Sequence, residues 1–160
     1  MGTISAYQSS MACKNRILIV EDNSDARELM VLYLRRAGYE IAEAATGSAA
    51  LEQAHVTHPD LIIMDLGLPG MNGDEATKHL KTDPSTKDIP VIVNTAFHAG
   101  SSNVNRAIAA GAAEILHKPT DFQTLLETVR RYSSVVGEGA FDAHESQVSP
   151  PVGARGSAAR

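Results

Sequence analysis

Tryptophan is absent from the 160 residues, and aromatic residues make up only 4% of them, so aliphatic side chains must build the core. A single cysteine, Cys13, excludes an internal disulfide and any multi-cysteine metal site. Long apolar runs are missing too. The longest aliphatic stretches, Ile17–Val20 and Leu61–Met64, are four residues each, against the roughly 20 that carry a helix across a bilayer. No membrane insertion is expected. An excess of positive charge is also lacking: 14 Lys and Arg stand against 19 Asp and Glu, a net charge of −5. Dense positive charge is what drives non-specific binding to phosphates, so nucleic acid is not an expected partner. The start of the chain carries no basic-then-apolar secretory pattern. Ala6 stands where a myristoylation motif requires Ser or Thr.

What is present divides into a body and two ends. Residues 1–13 carry no charged side chain, and 137–160 is rich in Gly, Pro and Ser with no apolar period. Neither end can bury enough surface to offset its ordering entropy. We expect disorder over 1–14 and 137–160, and one folded domain over 15–136. No repeat of 20 to 50 residues is visible.

The body alternates two patterns. Residues 17–20 (ILIV), 61–64 (LIIM), 91–94 (VIVN) and 114–117 (EILH) read as strands, the first three almost continuously apolar, as strands covered on both faces must be. Residues 39–44 (YEIAEA) alternate with Glu40 and Glu43, which suits an edge strand guarded by charge. Between them lie stretches of helical spacing. The first presents Ala26, Leu29, Met30, Tyr33, Leu34 and Ala37 and ends at Gly38. A second helix fits 48–56 and a third 74–81. A fourth is expected to bury Val104, Ala107 and Ile108 before Gly111. The fifth is expected to bury Phe122, Leu125, Leu126 and Val129, with Thr120 and Gln123 as a capping box. Five such βα units predict an α/β, doubly wound parallel sheet with five helices.

In such sheets ligands bind beyond the carboxyl ends of the strands. Glu21 and Asp22 follow the first strand, Asp65 the third, Thr95 the fourth and Lys118 the fifth. Three crowded carboxylates repel, so one must take a proton or a cation must neutralise them. Oxygen ligands without clustered Cys or His favour Mg²⁺. A metal, an ammonium and a hydroxyl around a free carboxylate are the parts that stabilise a transferring phosphoryl group, and the carboxylate can itself be the nucleophile. The spacing therefore points to phosphoryl transfer onto an Asp. The six histidines form no comparable group. His55 and His58 are three apart, and a solvated pair explains them.

The strings ILIVEDN (17–23), LIIMDLGLPGMNG (61–73), VIVNTA (91–96) and LHKP (116–119), in this order and spacing, resemble the receiver domain of two-component response regulators over roughly residues 15–135. The resemblance implies a flavodoxin-like fold of strand order 2-1-3-4-5 and a set of roles. Asp65 would be the phosphoacceptor. Asp22, Asp65 and the backbone carbonyl of Gly67 would ligate Mg²⁺, with Glu21 acting through a water. Thr95 would hydrogen-bond a phosphoryl oxygen and draw its loop inward, and Lys118 would pair with the phosphoryl group. Pro69 and Gly73 match the loop after the acceptor, and the bond from Lys118 to Pro119 would be cis. Asn23, Gly67 and Phe97 occupy the positions that tune phosphoryl lifetime. The implied partners are a sensor histidine kinase or a phosphotransfer protein as donor and a downstream protein target, in the cytoplasm.

One position departs from the family. Receivers commonly carry Tyr or Phe three residues before the lysine, and here it is Ile115, which has no ring to swing inward. No DNA-binding motif or second enzyme domain fits after Gly137, so a stand-alone receiver is expected. Two other classes compete. One is a phosphohydrolase with an Asp nucleophile, which usually needs a second acid where Gly67 stands. The other is a receiver-shaped binding module that no longer uses phosphate, an alternative supported by Ile115. A homodimer is left open: the fourth helix, with Arg106 its only charged residue, fits a docking face and a plain packing helix equally well.

Overall fold

Buried strands and amphipathic helices alternate along residues 15–133, the part of the chain that the computed structural model describes. The elements are β1 (Arg16–Val20), α1 (Ser24–Arg36), β2 (Glu40–Ala44), α2 (Gly47–Thr57), β3 (Leu61–Met64), α3 (Gly73–Thr82), β4 (Val91–Thr95), α4 (Ser102–Ala110), β5 (Glu114–His117) and α5 (Phe122–Ser133). The expected tails, 1–14 and 137–160, lie outside the described residues. All strand pairings are parallel, in the order β2-β1-β3-β4-β5. The architecture is α/β, doubly wound, as expected.

The apolar runs are continuous because the sheet is covered twice. Successive side chains of a strand point to opposite faces. Ile17, Ile19, Leu61, Ile63 and Ile92 meet Met30, Val31 and Leu34 of α1 and Leu125 and Val129 of α5. Leu18, Val20, Ile62, Met64 and Val91 meet α2 and α3 through Ala50, Ala54, Ala76 and Leu80. A smaller cluster of Leu66, Val93, Val104 and Ala107 seats α4, with Ile115 packed against it. β2 is an edge, with Glu40 and Glu43 exposed.

Three details of the helices differ from expectation. Leu29 is 51% exposed and Tyr33 also faces solvent, while Val31 is buried. The apolar stripe of α1 is wider than its contact with the sheet, and its outer part leans on α5, where Tyr33 stacks on Phe122 at 4.4 Å between centroids. Ile108 is 55% exposed rather than buried, because β5 is the last strand and α4 seats only Val104 and Ala107. Thr120 does not cap α5. Asp121 does, accepting from the Thr124 amide at 2.8 Å, while the Thr120 hydroxyl donates to Asn94 Oδ1 at 2.8 Å.

The helices are also tied by charge. α4's single charged residue, Arg106, donates through Nε to the buried Asp74 of α3 at 2.6 Å. His55 of α2 stands 2.7 Å from the Leu51 carbonyl through Nδ1 and 2.8 Å from Asp83 Oδ2 through Nε2. Both partners accept, which favours the doubly protonated ring. The Leu51 carbonyl first, and then Asp83, raise its pKa. Asp83 is lowered to about 2, chiefly by the Ser85 hydroxyl and amide. A raised imidazole pKa stabilises the fold below its ordinary value and ceases to do so as pH rises through the raised one. The stability difference between the wild type and His55→Gln in urea is therefore expected to be larger near pH 6 than near pH 8.5. Equal differences would refute the pairing.

Candidate functional site

Four of the five strands, all but β2, end by releasing a polar residue at the same edge of the sheet. The Glu21 amide bonds to Ala44 of β2 at 3.1 Å, and the Asp65 amide to Val20 of β1 at 3.0 Å, so the ladders themselves hold both carboxylates in place. Glu21 is 2% exposed and Asp65 8%. Asp22, the next residue, is exposed. One carboxylate oxygen from each of Glu21, Asp22 and Asp65 lies within 4.8 Å of the others.

Lys118 enters this cluster from the end of β5. Its Nζ donates to Glu21 Oε2 at 2.5 Å and to Asp65 Oδ2 at 3.0 Å. The bond from Lys118 to Pro119 is cis, as the resemblance implies. Burial is the largest influence on both Glu21 and Lys118. It pushes the Glu21 carboxyl up, with Lys118 opposing, and Asp65's charge adds to the rise. For Lys118, burial pulls down, but the hydrogen bonds and charges of Glu21 and Asp65 prevail and hold the ammonium above its ordinary value.

The other expected residues sit around this core. The Gly67 amide donates to Asp65 Oδ1 at 3.2 Å. Asn23 spends its side chain on the helix: its Oδ1 caps α1 through the Ala26 amide at 2.9 Å, and its own amide donates to Glu21 Oε1 at 3.2 Å. Thr95 is fully buried, and its hydroxyl accepts from the Phe97 amide at 3.2 Å. No hydrogen bond joins it to Asp65. The structure thus gathers Glu21, Asp22, Asp65 and Lys118 and leaves Thr95 beside them at the end of β4.

Two supports make contacts that the sequence does not show. Arg27 of α1 donates through Nη1 to the Glu21 carbonyl at 2.8 Å and through Nε to Glu43 at 3.3 Å, and nothing in the sequence separates it from the other charges of that helix. Gly73 presses on the acceptor strand: a β-carbon there would lie 2.0 Å from the Asp65 carbonyl oxygen. The resemblance singles out Gly73 after the acceptor, but its contact with the Asp65 backbone appears only in the fold.

Three carboxylates against one ammonium leave surplus negative charge, and the donor set is all oxygen. Octahedral Mg²⁺ with bonds of about 2.1 Å spreads its ligand oxygens up to about 4.2 Å apart. Oxygens within 4.8 Å of one another therefore fit such an ion after a small inward shift. An apolar groove of about 480 Å³ adjoins the cluster, running from Glu21 and Lys118 along Leu29, Met30, Phe122 and Leu125.

Comparison with known proteins agrees with this geometry. The response regulator receiver domain family matches residues 17–130. The polar-differentiation response regulator DivK of Brucella ovis is 38% identical over 116 residues, covering 72% of this chain and 94% of DivK. The chemotaxis protein CheY4 of Vibrio cholerae has 32% identity and a TM-score of 0.68, over 73% of this chain and 97% of CheY4. The receiver domain of the sensor histidine kinase PA1611 from Pseudomonas aeruginosa PAO1 was solved with a magnesium ion coordinated in its active site cleft. It has 29% identity and a TM-score of 0.70, over 75% of this chain and 98% of that domain. Four polar strand ends converging on one edge of a 2-1-3-4-5 sheet, together with these likenesses, place the chain in the family of response regulator receiver domains.

Proposed function

We propose that this receiver accepts a phosphoryl group on Asp65 and signals through phosphorylation-dependent protein contact or a phosphorelay. The observation that carries the reading is Lys118 Nζ held between Glu21 and Asp65 beside the exposed carboxylate of Asp22. An Asp65 oxygen attacks phosphorus, the bond from phosphorus to the donor's imidazole nitrogen breaks, and the freed imidazole takes a proton. Lys118 then pairs with a phosphoryl oxygen, and the Thr95 hydroxyl donates to another once its loop moves inward. Asp22, Asp65 and the Gly67 carbonyl would hold Mg²⁺, with Glu21 reaching it through a water. Bound there, the ion would neutralise charge on the transferring group. The donor would be a histidine kinase or a phosphotransfer protein, and the apolar groove beside Glu21 and Lys118 supports contact with it there. The chemistry serves signalling rather than turnover: no second acid stands two residues beyond Asp65, where Gly67 is.

Phosphorylation adds about −1.5 to −2 charge, enough to change which protein the surface binds. Ile115, packed with Val104 and Ala107, offers no ring for the usual rearrangement, so the signal would leave through the Thr95 loop. It is also the one feature that favours a phosphate-independent binding module.

Intact mass after incubation with acetyl phosphate decides between them. The expected result is a single phosphoryl increment that requires Mg²⁺ and is absent from Asp65→Asn. No increment from acetyl phosphate or from a panel of histidine kinases would overturn the proposal and leave the binding module.

A further inference from the structure

The loop that follows Thr95 at the end of β4 is held from a second side. His117, the last residue of β5, pairs with Thr95 in the β4–β5 register, and its Nδ1 lies 2.9 Å from the Phe97 carbonyl oxygen. A carbonyl only accepts, so Nδ1 carries the proton. The Phe97 amide donates in turn to Thr95 Oγ1 at 3.2 Å. The Phe97 ring leans over Gly67, near enough that a β-carbon at position 67 would meet it at 3.7 Å, and Gly67 is bonded to Asp65 Oδ1. Ile115, two residues earlier on β5, is packed into the apolar cluster under α4 and has no polar atom with which to hold a loop. A polar side-chain link from β5 to the loop therefore falls to His117.

We infer that His117 is a positioning residue of the acceptor site, which fixes the Phe97 ring across the mouth beside Asp65 and keeps Thr95 Oγ1 accepting from the Phe97 amide. That arrangement leaves the single hydroxyl proton of Thr95 free to be donated toward the acceptor, while the ring limits the approach of water to it. The inference rests on the reading that Asp65 takes a phosphoryl group, and it assigns His117 control of how long the group stays. An exposed hydrogen bond contributes modestly, and its loss should shorten the lifetime about three- to tenfold.

The test compares the wild type, His117→Leu, which has no donor, and His117→Asn, whose amide nitrogen stands near the place of Nδ1. In the unphosphorylated protein, NMR of the His117 ring should show the Nδ1–H tautomer. Amide exchange at Phe97 and His98 should quicken in His117→Leu and return toward wild type in His117→Asn. After uptake from acetyl phosphate and removal of the donor, all three should have carried one phosphoryl group, with His117→Leu losing it three to ten times faster and His117→Asn close to wild type. An Nε2–H tautomer, unchanged loop exchange in His117→Leu, or equal lifetimes in all three would overturn the assignment. A wild type that takes up no phosphoryl group would sink the Asp65 reading and the lifetime role with it, and the exchange data would still show separately whether His117 holds the loop.

Discussion

Gly73→Ala is expected to lower stability by roughly 3 kcal/mol or more, at the upper end of what overpacking costs. By helix propensity alone the change should help, since alanine is favoured over glycine inside a helix by about 1 kcal/mol. Packing decides the other way. The added β-carbon would lie 2.0 Å from the Asp65 carbonyl oxygen and 2.8 Å from both the Asp65 carbonyl carbon and Leu66 Cα. All three are backbone atoms, so no side chain can rotate aside. α3 cannot retreat freely either, because the Gly73 amide bonds to the Leu66 carbonyl at 3.0 Å and the Gly73 carbonyl accepts from Thr77 Oγ1 at 2.7 Å. The strain would fall on Asp65 itself, so phosphoryl uptake should drop together with the urea midpoint. Gly67→Ala, in the loop before α3, is the control, with its nearest contact a tolerable 3.7 Å from the Phe97 ring. If Gly73→Ala were as stable as Gly67→Ala, the close approach of α3 to the acceptor strand would be disproved.

Lys118→Met should act on chemistry and stability together. Methionine keeps much of the apolar stem and removes the ammonium, leaving Glu21 and Asp65, both buried, facing each other without a cation. Removing one partner of a buried charge pair costs about 3–5 kcal/mol. Since the Lys118 side chain is 28% exposed, we expect a smaller cost than that, about 2–3 kcal/mol at neutral pH. The pH dependence has a definite sign. The Glu21 carboxyl already stands above its ordinary value of 4.5 because of burial, and Lys118 is the main group that pulls it back. An acid with a raised folded pKa favours the fold while protonated and loses that contribution as pH rises through the raised value. Without Lys118 the value rises further, so the variant's deficit should be smaller near pH 5 than near pH 7.5 in paired urea titrations. A deficit that does not change with pH would mean that Glu21 does not feel Lys118. In the phosphoryl assay, loss of a charge that stabilises the transferring group should slow uptake by about 100-fold or more.

Much of this was legible in the chain. Four-residue aliphatic runs with no room for polar alternation require cover on both faces, and that requirement alone yields a parallel sheet between helices. Glu21, Asp22, Asp65 and Lys118 could be placed together because each stands just beyond the end of a strand, and strands of one parallel sheet all end on the same side. Local signals were weaker wherever two side chains compete for one task. Thr120 and Asp121 both suit an N-cap, and only the nearby Asn94 draws Thr120 away. Leu29 and Ile108 carry the right period for burial, yet a helix buries only as much surface as the sheet beneath it offers.

The layers, the strand ends and the identity of the charged cluster follow from the chain alone, because hydrophobic periodicity and chain direction are properties of the string. Tertiary structure alone decided how that cluster is balanced. Lys118 divides itself between two carboxylates, Arg27 grips the Glu21 backbone, Gly73 abuts Asp65 and His117 tethers Phe97. Hydrogen bonds and close contacts depend on distances of a few tenths of an ångström between residues far apart in sequence, and those distances exist only once the chain has packed.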